Sequence, residues 1–142
     1  MTQKSLLQSA GDGTAVAAGY VGEVVRSQGS TSLSAATGTV NVTSVQISAG
    51  TWILSGWLQT TLSADTTTSL LISDTSGTSN VLTGITHGQD VAMCSQSATG
   101  KAGTTANILY VTSSNKTIFL NFYRLGSVTA QIFYHITATR IA

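Results

Sequence analysis

The hydrophobic pattern of this chain is one of alternation. In residues 40–62, VNVTSVQISAGTWILSGWLQTTL, two alternating runs flank a Ser48-Ala49-Gly50 break. Val45 and Ile47 point opposite to Val40 and Val42 in the first run, and Trp52, Leu54, Gly56 and Leu58 opposite to Ile53, Ser55, Trp57 and Gln59 in the second. Period-two patterning with β-branched and aromatic enrichment predicts strands, and the break predicts a β-hairpin in which Gly50 takes a positive φ. Trp52 and Trp57, five positions apart, fall on opposite faces of the second run, so one indole enters the core and the other needs separate cover.

The same alternation marks further strands. Residues 19–26 read as a first strand ended by Gln28-Gly29-Ser30, and Thr37-Gly38-Thr39 as a turn. Residues 67–73 place Leu70 and Ile72 opposite Leu71, before the turn-rich Asp74-Thr75-Ser76-Gly77. Residues 91–96 suggest another strand and residues 98–103 a loop. Strands are also expected at 105–112 and at 117–124, where Ile118, Leu120 and Phe122 oppose Phe119, Asn121 and Tyr123. After Leu125-Gly126-Ser127, a last strand sets Val128, Ala130, Ile132, Tyr134, Ile136 and Ala138 against Thr129, Gln131, Phe133, His135, Thr137 and Thr139. Short strands at this spacing without an amphipathic helix predict an all-β fold, an antiparallel β-sandwich of jelly-roll type. Residues 1–18 lack sustained periodicity and read as an extended N-terminal arm. Residues 19–142 form one β-sandwich domain.

Composition changes the picture in one respect. Only 8% of the residues are charged, the mean hydropathy is +0.25 and there is no proline, against about 25% charged residues in ordinary domains. Ser and Thr, roughly three residues in ten, must supply the polar surface. A chain with few charges and no proline has little with which to guard its sheet edges, and oligomerisation is the simplest remedy. Trp57, Tyr123 and Phe133, mid-strand and on second faces, are the candidate oligomer interface.

A net charge of +1 with six scattered Lys and Arg leaves no footprint for nucleic acid. The lone Cys94 closes no intrachain disulfide. No apolar run is long enough for a membrane span, and the first residues lack a signal-peptide h-region, so a soluble chain made in a cytoplasm is expected. His87, Asp90 and Cys94 fall within eight positions, but their spacing matches no compact zinc pattern, and His135 would have to be brought to them by the fold. No nucleophile elbow, phosphate loop or confident carboxylate pair is present. The chain is therefore expected to be non-enzymatic, without metal or cofactor.

Several segments together resemble a known family. Gly19-Tyr20-Val21-Gly22-Glu23-Val24-Val25, then Ser32-Leu33-Ser34, residues 37–44, Ser48-Ala49-Gly50-Thr51-Trp52 and the closing Ile136-Thr137-Ala138-Thr139-Arg140-Ile141 resemble a β-domain of tailed-bacteriophage virion proteins that often ends tail or head fibres. The resemblance implies a jelly-roll-type homotrimer located in the virion. With eighteen residues ahead of the domain in place of a fibre shaft, the layout suggests a capsid decoration protein. Its arm, with Lys4, Leu6 and Leu7 as anchoring residues, would hold it to the phage capsid or other virion proteins. The alternative is a tail- or head-fibre module that recognises host surface glycan through its loops.

Overall fold

The computed structural model describes residues 16–64, 66–77, 91–92, 102–104 and 107–142. Among them every regular element is a strand: β1 (Val24–Ile47), β2 (Gly50–Leu62), β3 (Thr68–Ser73), β4 (Val91–Ala92), β5 (Ala102–Thr104), β6 (Ile108–Thr112) and β7 (Lys116–Arg140). All pairings are antiparallel and all belong to one seven-stranded sheet. The all-β, antiparallel class is as the alternation predicts.

The organising element is β7. β1 runs along one side of it from Lys116 to Thr139, while β3 pairs with residues 119–124 on the other side and β2 with residues 130–140. The expected hairpin is thereby corrected. β1 and β2 follow one another in sequence but share no ladder; they flank opposite sides of β7. Gly50 does take a positive φ, +153°, and a Cβ there would lie 2.8 Å from the Ala142 carbonyl oxygen and 2.8 Å from the Arg140 guanidinium. Close backbone approach thus demands glycine at this corner as firmly as the dihedral does.

The sheet doubles back on itself. Ser27 and Thr43 lie 16 positions apart on β1, roughly 50 Å in a straight strand, yet their hydroxyls are 2.6 Å apart. Similarly, Ile47 faces the first residue of β7 and Trp52 faces its last, only five positions later. Register shifts on β1 between Leu33 and Ala36, Ala36 and Gly38, and Asn41 and Thr43 supply the bend. Opposite them, residues 125–127 bulge from β7, and Leu125 is exposed. Arg124, 4% exposed, ties this corner: its Nη1 donates to the Ser34 and Val128 carbonyls. Desolvation holds its pKa below the ordinary value. A folded value below the unfolded one means that protonation opposes folding wherever the group is charged in both states, so it contributes no slope to stability in the neutral range.

Three sequence expectations are corrected by the length of these strands. Gln28-Gly29-Ser30 and Thr37-Gly38-Thr39 do not end strands but lie inside β1, and Leu125-Gly126-Ser127 lies inside β7. Both long strands continue because each offers the other an antiparallel partner on either side of the register shifts.

One core receives both halves of the doubled sheet. Val45, Ile47, Leu70, Ile72, Ile118, Leu120 and Phe122 from one half meet Trp52, Leu54, Leu58, Ile132, Ile136 and Ala138 from the other. Trp52 is the indole that enters, pairing across strands with Tyr110. Leu71 and Asn121 point away from this core, yet both are buried, and the turn at 74–77 covers Asn121, which bonds to Thr75 and Gly77. Of the expected arm, residues 1–15, with Lys4, Leu6 and Leu7, lie outside the described residues. Within the remainder, the Ala17 carbonyl accepts from the Tyr20 amide in a turn.

Candidate functional site

The outward face of the half built from β1, β7 and β2 carries an open groove of about 700 Å³ lined by Gln28, Gly29, Ser30, Trp57, Gln59, Phe133, Tyr134 and His135. Strand register creates it. Gln28, His135 and Trp57 form one cross-strand row, and Ser30, Phe133 and Gln59 the next. Alternation turns all six side chains to the same face, while Leu58, Ile132 and Ile136 turn to the core. Trp57 and Phe133 are diagonal neighbours on adjacent strands. Trp57 is half-buried and Phe133 is 43% exposed.

Between the two rows, Gly29 pairs with Tyr134. A Cβ on Gly29 would sit 2.8 Å from the phenolic oxygen, so glycine is what lets the tyrosine lie across β1. His135 shares a 2.8 Å hydrogen bond with the Thr137 hydroxyl. Among the described residues, no hydrogen bond engages the side chains of Gln28, Gln59 or Ser30, and none of those lining the groove is charged.

Of the three residues expected at one oligomer interface, the fold brings two together. Trp57 and Phe133 share the groove. Tyr123 lies ten positions from Phe133 along β7, in the other half of the doubled sheet, between Thr39 and Ser69. Parity predicted the outward direction of all three, but not the fold-over that separates them. Sequence reasoning does not single out Gln28, Ser30 or Gln59: the first two sit in a Gln-Gly-Ser tripeptide that reads as a turn, and Gln59 reads as an ordinary outward polar residue. No signal within the sequence places them there, because the pairing of Gln28 with His135 and of Ser30 and Gln59 with Phe133 comes from the long-range register.

His87, Asp90 and Cys94 lie outside the described residues. His135 lies within them, and among the described residues no group of three His, Cys, Asp or Glu side chains is placed to hold a metal ion. No helix among them is long and apolar enough to cross a membrane. A second, smaller concavity of about 330 Å³ lies where the chain enters the domain, lined by Ala18, Glu23, Gln46, Ile47, Ser48, Asn115, Lys116 and Thr117.

No protein-family model matches the sequence, and no curated protein matches it. Three solved structures align with the chain. The VP2 subviral particle of infectious bursal disease virus aligns with a TM-score of 0.48 at 15% identity, over 84% of this chain and 38% of VP2, so the chain spans well under half of that protein. A chain of the cyanophage Pam1 capsid asymmetric unit aligns with a TM-score of 0.45 at 18% identity, over 89% of this chain and 91% of the other. A Bacillus endospore appendage, from a family of disulfide-linked pili, aligns with a TM-score of 0.44 at 13% identity, over 91% and 98%. The chain is thus similar, at low identity, to two viral capsid structures and a pilus-forming spore appendage.

Proposed function

We propose that this chain is a non-enzymatic structural protein of a phage virion, one that decorates or cements the head through its N-terminal arm and an oligomeric β-domain. The family resemblance in the sequence supports the virion setting, and a trimer is what that resemblance implies. The observation that carries self-association is the outer edge of β1. Among the described residues β7 is the only strand that pairs with β1, which leaves 24 residues of backbone edge carrying one charged side chain, Arg26, and no proline. Sheet edges of monomers are usually guarded by lysine, proline or bulges; here only the bulges are present, and the regular run from Val24 to Leu33 lacks even those.

Self-association is tested by charging the edge. Ser32 and Ala35 are exposed, so Ser32→Lys with Ala35→Lys leaves the core intact while placing like charges where copies meet. Light scattering is expected to give a mass of three 14.6 kDa chains for the unaltered protein and of one for the double variant. An unchanged mass for the variant overturns the edge contact.

The head-binding role has its own test. Antibody-gold labelling of native particles is expected to decorate the whole head, and deletion of residues 1–15, or Leu6→Ser with Leu7→Ser, to abolish binding to stripped heads. Retained binding by the deletion variant removes the arm from the proposal. Label confined to tail or fibre ends favours the second reading, a receptor-binding module, for which the uncharged, aromatic lining of the groove is the supporting observation.

A further inference from the structure

We propose that the groove around Trp57 and Phe133 is a binding site for a neutral oligosaccharide, formed on the sheet face and not on loops. A pyranose ring offers an apolar C–H face and a rim of hydroxyls. The groove offers the matching partners: an indole and a phenyl ring on adjacent strands, with the Gln28 amide and Ser30 hydroxyl on β1, the Gln59 amide on β2 and the His135 imidazole on β7 between them. Amphipathic rings beside a few convergent polar groups are the usual makeup of a small-molecule site. The volume of about 700 Å³ falls within the roughly 300–1,000 Å³ of such sites.

Two observations narrow the occupant. The absence of a charged side chain among the described lining residues disfavours phosphate, nucleic acid and acidic sugars, each of which calls for Lys or Arg. The polar complement disfavours a second protein surface. Each glutamine amide brings two N–H donors and a carbonyl acceptor, and neither is engaged among the described residues; a protein patch laid over them would have to satisfy every one or bear the desolvation. Sugar hydroxyls both donate and accept, so they can answer either group. The groove opens along the sheet normal, whereas pairing at the β1 edge lies in the sheet plane, so the two contacts do not compete. The inference goes beyond the decoration reading and stands without it.

The test uses the full chain and its own fluorescence. The protein has two tryptophans, and Trp52 is 0% exposed, so a ligand-dependent change in emission or acrylamide quenching reports on Trp57. Titration with trisaccharides of glucose, galactose and N-acetylglucosamine, checked by calorimetry, is expected to give saturable binding for at least one. Trp57→Ala and Gln59→Ala are each expected to weaken that binding tenfold or more, and Tyr123→Ser, an outward aromatic of the other half-sheet, to leave it unchanged. Because Gln59 is exposed, its variant keeps the test valid if Trp57→Ala lowers stability. The inference is overturned if none of the three sugars binds at about 10 mM, a Kd too weak to matter, if both groove variants bind as the parent does, or if a sialylated glycan binds in place of the neutral sugars. A fall in oligomeric mass on Gln59→Ala also overturns it, since the groove is then a subunit contact, whatever the edge variant and the head-binding assay show.

Discussion

Replacing Trp52 with alanine is expected to destabilise this domain by about 3–5 kcal/mol, a large part of the total stability of most single domains. The indole is wholly buried, and three connections meet on it. Its Nε1 donates to the Ser48 carbonyl at 3.0 Å, which holds the crossing from β1 to β2. It stands opposite Tyr110 in the β2–β6 ladder, and both belong to the buried core. The Arg140 guanidinium lies 5.5 Å from the ring centroid and also donates to the Ser48 hydroxyl at 2.8 Å. Truncation therefore leaves a cavity, an unpaired carbonyl and a cation without its aromatic ring where the two ends of β7 come together. The contrast is Trp57→Ala, expected to cost about 1 kcal/mol or less because that ring is only half-buried. Urea denaturation followed by far-UV circular dichroism checks both; equal losses for the two variants would mean that the outward indole is covered as completely as the inward one.

That contrast was legible in the sequence, because parity alone separates Trp52 from Trp57. So were the faces of the last strand, where Val128, Ala130, Ile132, Ile136 and Ala138 are buried as predicted. What parity could not carry was any place where the count slips. The first run of the 40–62 segment puts Val40 and Val42 opposite Val45 and Ile47, yet Val45 and Ile47 are buried, while Val40 and Val42 are also packed against the core. The register shift between Asn41 and Thr43 adds one residue to β1 and reverses the direction of everything before it. A bulge leaves no period of its own, and the valines on either side read as two faces of one strand when they belong to one face of two.

The missed topology has the same origin. A short Ser-Ala-Gly break between two alternating runs specifies a reversal, but not whether the two strands then pair. Here the partner of both is β7, more than fifty positions downstream of Leu62; pairings at that separation are non-local and have no signature within the segment itself. The candidate groove depends on those pairings. Trp57 and Phe133 could be picked out as outward aromatics, but that they adjoin, that Tyr123 does not join them, and that Gln28 and Gln59 flank them follow only from the β1–β7–β2 register.

Asn121 gives the second large effect, and one whose size turns with pH when the residue is made ionisable. It is 0% exposed on the face of β7 turned away from the core. Its Oδ1 accepts from the Gly77 amide at 3.1 Å and its Nδ2 donates to the Thr75 carbonyl at 3.0 Å. One side chain thus satisfies both a donor and an acceptor of a turn more than forty residues away. Asn121→Leu fills similar volume but orphans both backbone groups, so a loss of about 2–4 kcal/mol is expected. Asn121→Asp is the more telling substitution. Protonated, the carboxyl can still accept from Gly77 and donate to Thr75. Ionised, it loses the donor and places a charge in a site without solvent, which raises its folded pKa above the unfolded value near 3.9. For an acid with a raised folded pKa, the protonated form is the one that folding favours. The variant should therefore stand closest to the parent at pH values below about 4 and lose stability as the pH rises through the folded pKa. Urea midpoints for parent and variant, measured across that range, should diverge upward in pH. A constant difference would mean that the carboxylate reaches water, and that the turn at 74–77 does not seal this face of the sheet.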